Sequence, residues 1–529
     1  MNSFLCFSLA ILLICPIRAG PWFPPDIDDV PMHLSTVFYR VEDDTIESLP
    51  TKVTQVVNSV LTRKQNGNNA GEQFQWYSLT AFRESNHGNG KTWLVLGGSV
   101  PNLDIEINNP FTKFAAGVIN CHFRPQQTTP YGFVLENCEP MDLQYVRNDS
   151  EANQKSGPGL LGMGLASLKL NGIKNGAVLV YCDPLWRADG LHAGGRCQVV
   201  LRTAEQWKNL RQNERLDFCT SSGHSQPCGG GFTVDLLQND ENESVRNQNA
   251  NLSLPYVKLI VGLPFSQPHG EVQVIQNILN QEEDSKISLS LTDHIVGTRE
   301  KFGSKVAWTP EMSLKNKQKR ESSVLGDLQN SLRSGFTQWS RESLALITSS
   351  VENRVYAYRH SRAGQSEYLF DFSPSDSSTE NDDMEQQNSE FGSGFGQAIE
   401  TVIIPAHTGA HAEYAVILGA PFHSSQKTGA NLGRVYIICP GRTNTKEEST
   451  YLDGLDSQSF FGYSLARLGD VDGDGIDDVA IGAPGLHRSS NEMSIPRAKS
   501  SATGKVYIHR VTNECKLDPQ PIQVSHLLL

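Results

Sequence analysis

The sequence predicts an all-β protein, a β-propeller, and three observations carry that reading. A fixed order of short apolar strands, divided by Gly and Pro, recurs along the chain. Each repeat holds three or four such strands, which suits the blades of a propeller. In the last repeat an acidic loop, Asp470-Val-Asp-Gly-Asp-Gly-Ile-Asp-Asp478, leads into apolar Val479-Ala-Ile-Gly-Ala-Pro484, so the loop belongs to a β-hairpin.

Residues 1–20 come first, with an apolar run from Phe4 to Ile14 followed by Cys-Pro-Ile-Arg-Ala-Gly. This pattern predicts a signal peptide and therefore export. Residues 21–60 read as a lead-in that contains a short strand candidate, Phe38-Tyr-Arg-Val41. Residues 61–510 hold the repeats, in six visible units.

The units start near residues 74, 161, 232, 325, 395 and 461. Phe74-Gln-Trp-Tyr-Ser-Leu leads to Trp93-Leu-Val-Leu-Gly-Gly98, and Leu161-Gly-Met-Gly-Leu-Ala166 leads to Ala177-Val-Leu-Val-Tyr-Cys-Asp-Pro184. Gly231-Phe-Thr-Val234 leads to Val257-Lys-Leu-Ile-Val-Gly-Leu-Pro264 and Gly270-Glu-Val-Gln-Val274. A degenerate unit begins near Leu325-Gly326 and ends with Arg354-Val-Tyr-Ala-Tyr358. The last two units are the clearest. Phe395-Gly396, Tyr414-Ala-Val-Ile-Leu-Gly-Ala-Pro421 and Gly433-Arg-Val-Tyr-Ile-Ile438 match Phe461-Gly462, Val479-Ala-Ile-Gly-Ala-Pro484 and Gly504-Lys-Val-Tyr-Ile508. Residues 511–529 read as a C-terminal tail. Ser373 to Glu390 and the basic run Lys315-Asn-Lys-Gln-Lys-Arg320 read as solvated insertions.

The acidic loop carries the only strong chemical signal. Asp470, Asp472 and Asp474 occupy positions 1, 3 and 5 of a calcium loop, Gly475 the sharp turn at 6, the Ile476 carbonyl 7 and Asp478 position 9. Hard oxygen donors at that alternation suit Ca²⁺. An EF-hand would need Glu at position 12, but Ile481 stands there. Four ligand carboxylates with no Lys or Arg in the loop repel one another, and a bound ion would balance them. The plain alternative is an acidic surface turn built on Asp-Gly pairs.

Charge and cysteines bound the setting. With 45 Lys and Arg against 58 Asp and Glu, a net charge of −13 argues against nucleic acid as a partner. No later apolar run is long enough to predict a membrane span. Of ten cysteines, Cys6 and Cys15 fall in the leader. Six of the rest are near neighbours, which predicts Cys121–Cys138, Cys182–Cys197 and Cys219–Cys228, each stabilising by roughly 2–3 kcal/mol. Cys439 and Cys515 are left over. Glycosylation sequons stand at Asn148, Asn242 and Asn251, in keeping with secretion.

The order Phe-Gly, Asp-x-Asp-Gly-Asp-Gly-x-x-Asp, Gly-Ala-Pro resembles the FG-GAP repeat, and the chain from about Phe38 to Arg510 resembles an integrin α subunit. Cys182-Asp-Pro-Leu-Trp186 with Gly195-Arg-Cys197, and Cys228-Gly-Gly-Gly-Phe232-Thr-Val-Asp235, are similar to that family's second and third blades. The resemblance implies a seven-bladed propeller, so seven blades are expected where six are visible. It implies pairing with a β subunit and cation-dependent binding of matrix or cell-surface ligands. Asp470, Asp472, Asp474, Ile476 and Asp478 would hold a structural Ca²⁺ on the face away from ligand.

Departures from the family are plain. The fifth unit has Ile403-Ile-Pro-Ala-His-Thr-Gly-Ala-His411 in place of an acidic loop, and Cys197 to Cys219 is too short for an inserted ligand-binding domain. With six units and no legs or membrane span visible, the chain reads as a truncated product of a longer receptor. The rivals are a secreted six-bladed binding module and the non-catalytic part of a secreted hydrolase. His407 and His411 are spaced as half a zinc site on a helix, yet Pro405 and Gly409 place them in a loop. No catalytic motif is present, and no enzyme activity is expected.

Overall fold

The computed structural model describes the strands between Gln75 and His526 and some of the turns joining them. Residues 1–74, 311–342, 375–391, 486–503 and shorter stretches between strands lie outside the described residues.

Among the described residues there are six antiparallel sheets in chain order, arranged as the blades of a propeller. Blade one holds β1 (Gln75–Arg83), β2 (Thr92–Ser99), β3 (Lys113–Pro125) and β4 (Phe133–Val146). Blade two holds β5 (Gly164–Lys169), β6 (Ala177–Asp183), β7 (Arg196–Thr203) and β8 (Gln206–Asn209), with β9 (Leu216–Asp217) also on β7. Blade three is β10 (Thr233–Gln238), β11 (Val257–Leu263), β12 (Glu271–Ile275) and β13 (Leu291–Val296).

Blade four is β14 (Phe302–Trp308), β15 (Leu344–Ser349), β16 (Arg354–His360) and β17 (Ser366–Phe372). Blade five is β18 (Ala398–Ile404), β19 (Glu413–Ala420), β20 (Arg434–Ile438) and β21 (Thr450–Asp453). Blade six is β22 (Ser464–Gly469), β23 (Asp478–Ala483), β24 (Lys505–His509) and β25 (Gln523–His526). The first strands of consecutive blades, β1, β5, β10, β14, β18 and β22, pack side by side in that order.

The apolar cores lie between blades, because each sheet buries both faces. The second strands are largely apolar and fully buried, as Val257–Leu263 and Asp478–Ala483 illustrate, with Lys258 and Asp478 the charged exceptions in those two. One core joins blades five and six through Val402, Ile417, Val435, Phe461, Val479 and Ile481. Equivalent cores lie at each of the other junctions from blade one to blade five.

The recurring glycines explain themselves at these junctions. The Gly462 N–H donates to the Gly482 carbonyl at 3.1 Å within its blade, as Gly396 does to Gly419 at 2.9 Å. A Cβ on Gly419 would lie 2.0 Å from the Gly462 carbonyl oxygen of the next blade. The Phe-Gly pair of one blade therefore packs backbone-to-backbone on the Gly-Ala-Pro strand of the blade before. Phe461 forms a parallel bridge to Gly433, and Phe302 forms the same bridge to Gly270.

A second recurring device ties the third strand of a blade to a strand paired on its outer side, the fourth strand in blades four and five and β9 in blade two. Arg196 pairs with Asp217, Arg354 with Asp371, and Arg434 with Asp453. Arg434 also lies 3.7 Å over the Tyr451 ring, and Arg196 3.3 Å over Trp186.

Two boundaries differ from the sequence reading. The fourth blade opens at Phe302-Gly303, not near Leu325-Gly326, which lies outside the described residues. The pair was obscured because β15 ends Ile-Thr-Ser, with no Gly-Ala-Pro to frame it, and a long insertion separates it from β14. Thr348 stands at the glycine's place, and its hydroxyl donates to the Gly396 carbonyl at 2.9 Å. At the carboxyl end, β25 gives blade six its own fourth strand from within the segment expected to be a tail. The strand candidate at Phe38 lies outside the described residues.

Candidate metal centre

The acidic loop joins β22 to β23, and the register setting Gly469 opposite Asp478 closes it. Gly469 and Gly475 take φ of 75° and 87°, the left-handed region that lets so short a loop curl back. Two side chains fold the loop onto itself. The Gly475 N–H donates to Asp470 Oδ2 at 3.0 Å, and the Ile476 N–H to Asp474 Oδ1 at 2.9 Å. Ile476 is buried in the core between blades five and six, which pins the loop from beneath.

Asp470, Asp474, Ile476 and Asp478 are thus gathered on one turn. Asp470 and Asp474 are exposed, and Asp478 is fully buried at the head of β23. Asp472 lies outside the described residues, as do residues 471 and 473. Among the described residues no group of three or more His, Cys, Asp or Glu side chains is assembled as a metal cluster.

The donor set fits a hard cation. Ionised carboxylates only accept, and three of them stand within nine residues of a folded-back turn. Among the described residues two basic side chains reach the loop from outside it, Arg467 at Asp477 and Arg510 at Asp474, which the loop's own sequence does not show. Arg510, just past β24, sits 3.7 Å from Asp474 Oδ2, with both side chains substantially exposed. Such a pair is weak and leaves the loop negative.

Asp477 was not anticipated, although it is the loop's firmest attachment. Its Oδ2 accepts the Ile403 N–H at 3.0 Å and pairs with Arg467 Nε at 2.6 Å. Its own N–H donates to the Ile403 carbonyl at 3.3 Å. The Asp477-Asp478 doublet is the sequence signal, since a nine-position loop uses only the second carboxylate as a ligand. Blade five, whose corresponding loop falls at residues 405–412 outside the described residues, meets blade six here through β18.

The cysteines follow the local pairing and extend it. Cys182–Cys197 links β6 to β7, and Cys219–Cys228 closes the turn before blade three. Cys121 is disulfide-bonded, on the β3–β4 pair whose register sets Asn120 opposite Glu139, beside Cys138. The two left-over cysteines form a third described bridge, Cys439–Cys515, between blades five and six. Asn148, Asn242, Asn251, His407 and His411 lie outside the described residues.

Comparison with known proteins bears on this geometry. Residues 461–509, the sixth blade with its loop, match the FG-GAP repeat family. Integrin alpha-5 of Xenopus laevis is 36% identical over 72 residues, 13% of this chain and 7% of that protein. Integrin alpha-3 of Mus musculus is 32% identical over 113 residues, 21% of this chain and 9% of that protein. The likeness therefore takes in less than a tenth of either relative's length. Among solved structures, an exo-inulinase of Aspergillus awamori aligns over 68% of this chain and 65% of its own at 9% identity, with a TM-score of 0.31. That score is too low to bear on fold or function.

Proposed function

We propose, from the premise that this chain is an integrin-α-like propeller of FG-GAP repeats, that it serves as the head of a cell-adhesion receptor subunit. It pairs with an integrin β subunit and binds extracellular matrix or cell-surface protein ligands when a divalent cation is present. The cation is Ca²⁺, held by Asp470, Asp472, Asp474, Asp478 and the Ile476 carbonyl. It performs no chemistry. By neutralising the loop it fixes the turn that carries Asp477 onto β18, and so stiffens the junction of blades five and six.

The observation that carries this reading is the acidic loop set within a blade that matches the FG-GAP family. Disulfides in three places support an extracellular setting, where such bonds persist. The side of the propeller opposite the loop supports a docking role. There, exposed Leu185 and Phe265 follow the second strands of blades two and three, and Leu455 follows β21. Apolar side chains of that size on one face suit a protein partner.

Co-expression with integrin β subunits tests the proposal. Co-purification of a heterodimer that binds matrix protein in Ca²⁺ and releases it in chelator is the expected result. A monomer that binds ligand alone would favour a soluble binding module instead.

A further inference from the structure

The Cys439–Cys515 bridge differs from the other two described disulfides in what it spans. Cys182–Cys197 joins adjacent strands of one sheet, and both residues are fully buried. Cys219–Cys228 closes a loop with a sequence separation of 9. Cys439–Cys515, with a separation of 76, ties the end of β20 in blade five to the connection between β24 and β25 in blade six.

That connection is a miniature hairpin with its own hydrogen bonds. Val511 bridges Leu517, the Thr512 N–H donates to the Lys516 carbonyl at 2.9 Å, and the Asp518 N–H to the Arg510 carbonyl at 2.9 Å. Val511 and Leu517 are buried in the core between blades five and six. Cys515 stands at the hairpin's tip with φ of 62°, where its N–H donates to the Thr512 carbonyl. Its neighbours Glu514 and Lys516 have side chains 73% and 56% exposed. Cys439, in contrast, is buried. The Cys515 carbonyl accepts the Thr450 hydroxyl at 3.1 Å, so the tip is seated on β21 of blade five.

We infer that Cys439–Cys515 is a thiol-exchange site, a reducible clasp between blades five and six that opens from the Cys515 end, where Cys515 is half-buried between the exposed Glu514 and Lys516. A dithiol's thiolate attacks Cys515 Sγ, the Cys439 sulfur leaves as a thiolate and takes a proton, and a mixed disulfide forms at Cys515. The dithiol's second thiol then displaces Cys515. Two cysteine thiols remain and the dithiol departs as its own disulfide, a balanced two-electron transfer. Access to one sulfur sets the rate of such exchange, which is why the strand-buried Cys182–Cys197 bridge resists it. Opening leaves the hairpin held against blade five by Val511, Leu517 and the Thr450–Cys515 hydrogen bond without a covalent tie, and local opening of residues 510–518 becomes easier. The inference does not depend on the cation.

Limiting dithiothreitol on the native, full-length protein, followed by iodoacetamide and peptide mass spectrometry, tests it. Cys439 and Cys515 should be alkylated more than about tenfold faster than Cys182 and Cys197. Hydrogen exchange at residues 510–518 and 450–453 should rise in step. A C439S/C515S variant should show that exchange pattern without reductant. The inference is overturned if all bridges open together, or if Cys439 and Cys515 are alkylated with no change in exchange at 510–518.

Discussion

The Asp477 carboxylate accepts the Ile403 N–H at 3.0 Å while the Asp477 N–H returns to the Ile403 carbonyl at 3.3 Å. This reciprocal pair couples the acidic loop of blade six to the first strand of blade five. An inner strand exposes unpaired backbone groups along its free edge, and a carboxylate from the next blade is one way to satisfy them. Asp235 of blade three does so in the opposite sense, accepting the Trp308 N–H of the following blade at 2.7 Å.

Replacing Asp477 with Ala should lower unfolding stability by about 1–3 kcal/mol, since Ile403 and Arg467 both lose a charged partner. Asn at the same position keeps one acceptor oxygen and should cost less. Urea unfolding of the two variants against the parent chain decides the matter; equal midpoints for all three would remove Asp477 from the junction.

Gly419 gives the sharpest test of the packing between blades. Its added Cβ would lie 2.0 Å from a backbone oxygen of the next blade, which cannot swing aside as a side chain could. G419A should therefore destabilise by more than about 3 kcal/mol or abolish secretion of folded protein. Thr348, at the matching place in blade four, should tolerate Ser, which keeps the bond to Gly396, better than Val, which does not.

The first strands also carry a half-buried line of charge. Asp235, Lys305 and Glu400 come from blades three, four and five in turn. Burial raises the Asp235 and Glu400 pKa values and lowers that of Lys305, although Lys305 attracts Asp235 and Glu400 attracts Arg467. A carboxyl whose folded pKa lies above its unfolded value favours the fold fully below the unfolded value. That contribution is lost as pH rises through the folded pKa. The parent chain should therefore lose stability relative to E400Q as pH rises from the acid side to neutrality, in denaturant titrations at several pH values. A difference independent of pH would contradict the assignment.

How much of this was legible in the sequence depends on whether a residue's role is local. The loop from Asp470 to Asp478 and the Phe395 and Phe461 repeats stand out because turn, ligand and strand signals sit within a few residues of each other. Phe302-Gly303 was hidden, since its counterpart Thr348 replaces the expected glycine and repairs the contact with a hydroxyl. Cys439 and Cys515 could not be paired by proximity in sequence, because their contact is made between blades. Asp477 is hard to read for the same reason: its partner Ile403 lies in another blade, and inside the loop only the Asp477-Asp478 doublet hints at a second role. The near-neighbour pairs Cys182–Cys197 and Cys219–Cys228 were readable because each joins local elements.

The most direct test of the account is thermal unfolding of the parent chain and of D472N/D474N with and without millimolar-range Ca²⁺. Binding to the folded state alone should stabilise the parent by about 2.7 kcal/mol when calcium stands at a hundred times its dissociation constant. The account predicts a rise in the parent's melting temperature that the double variant lacks. A parent chain that melts at one temperature in calcium and in chelator would contradict it.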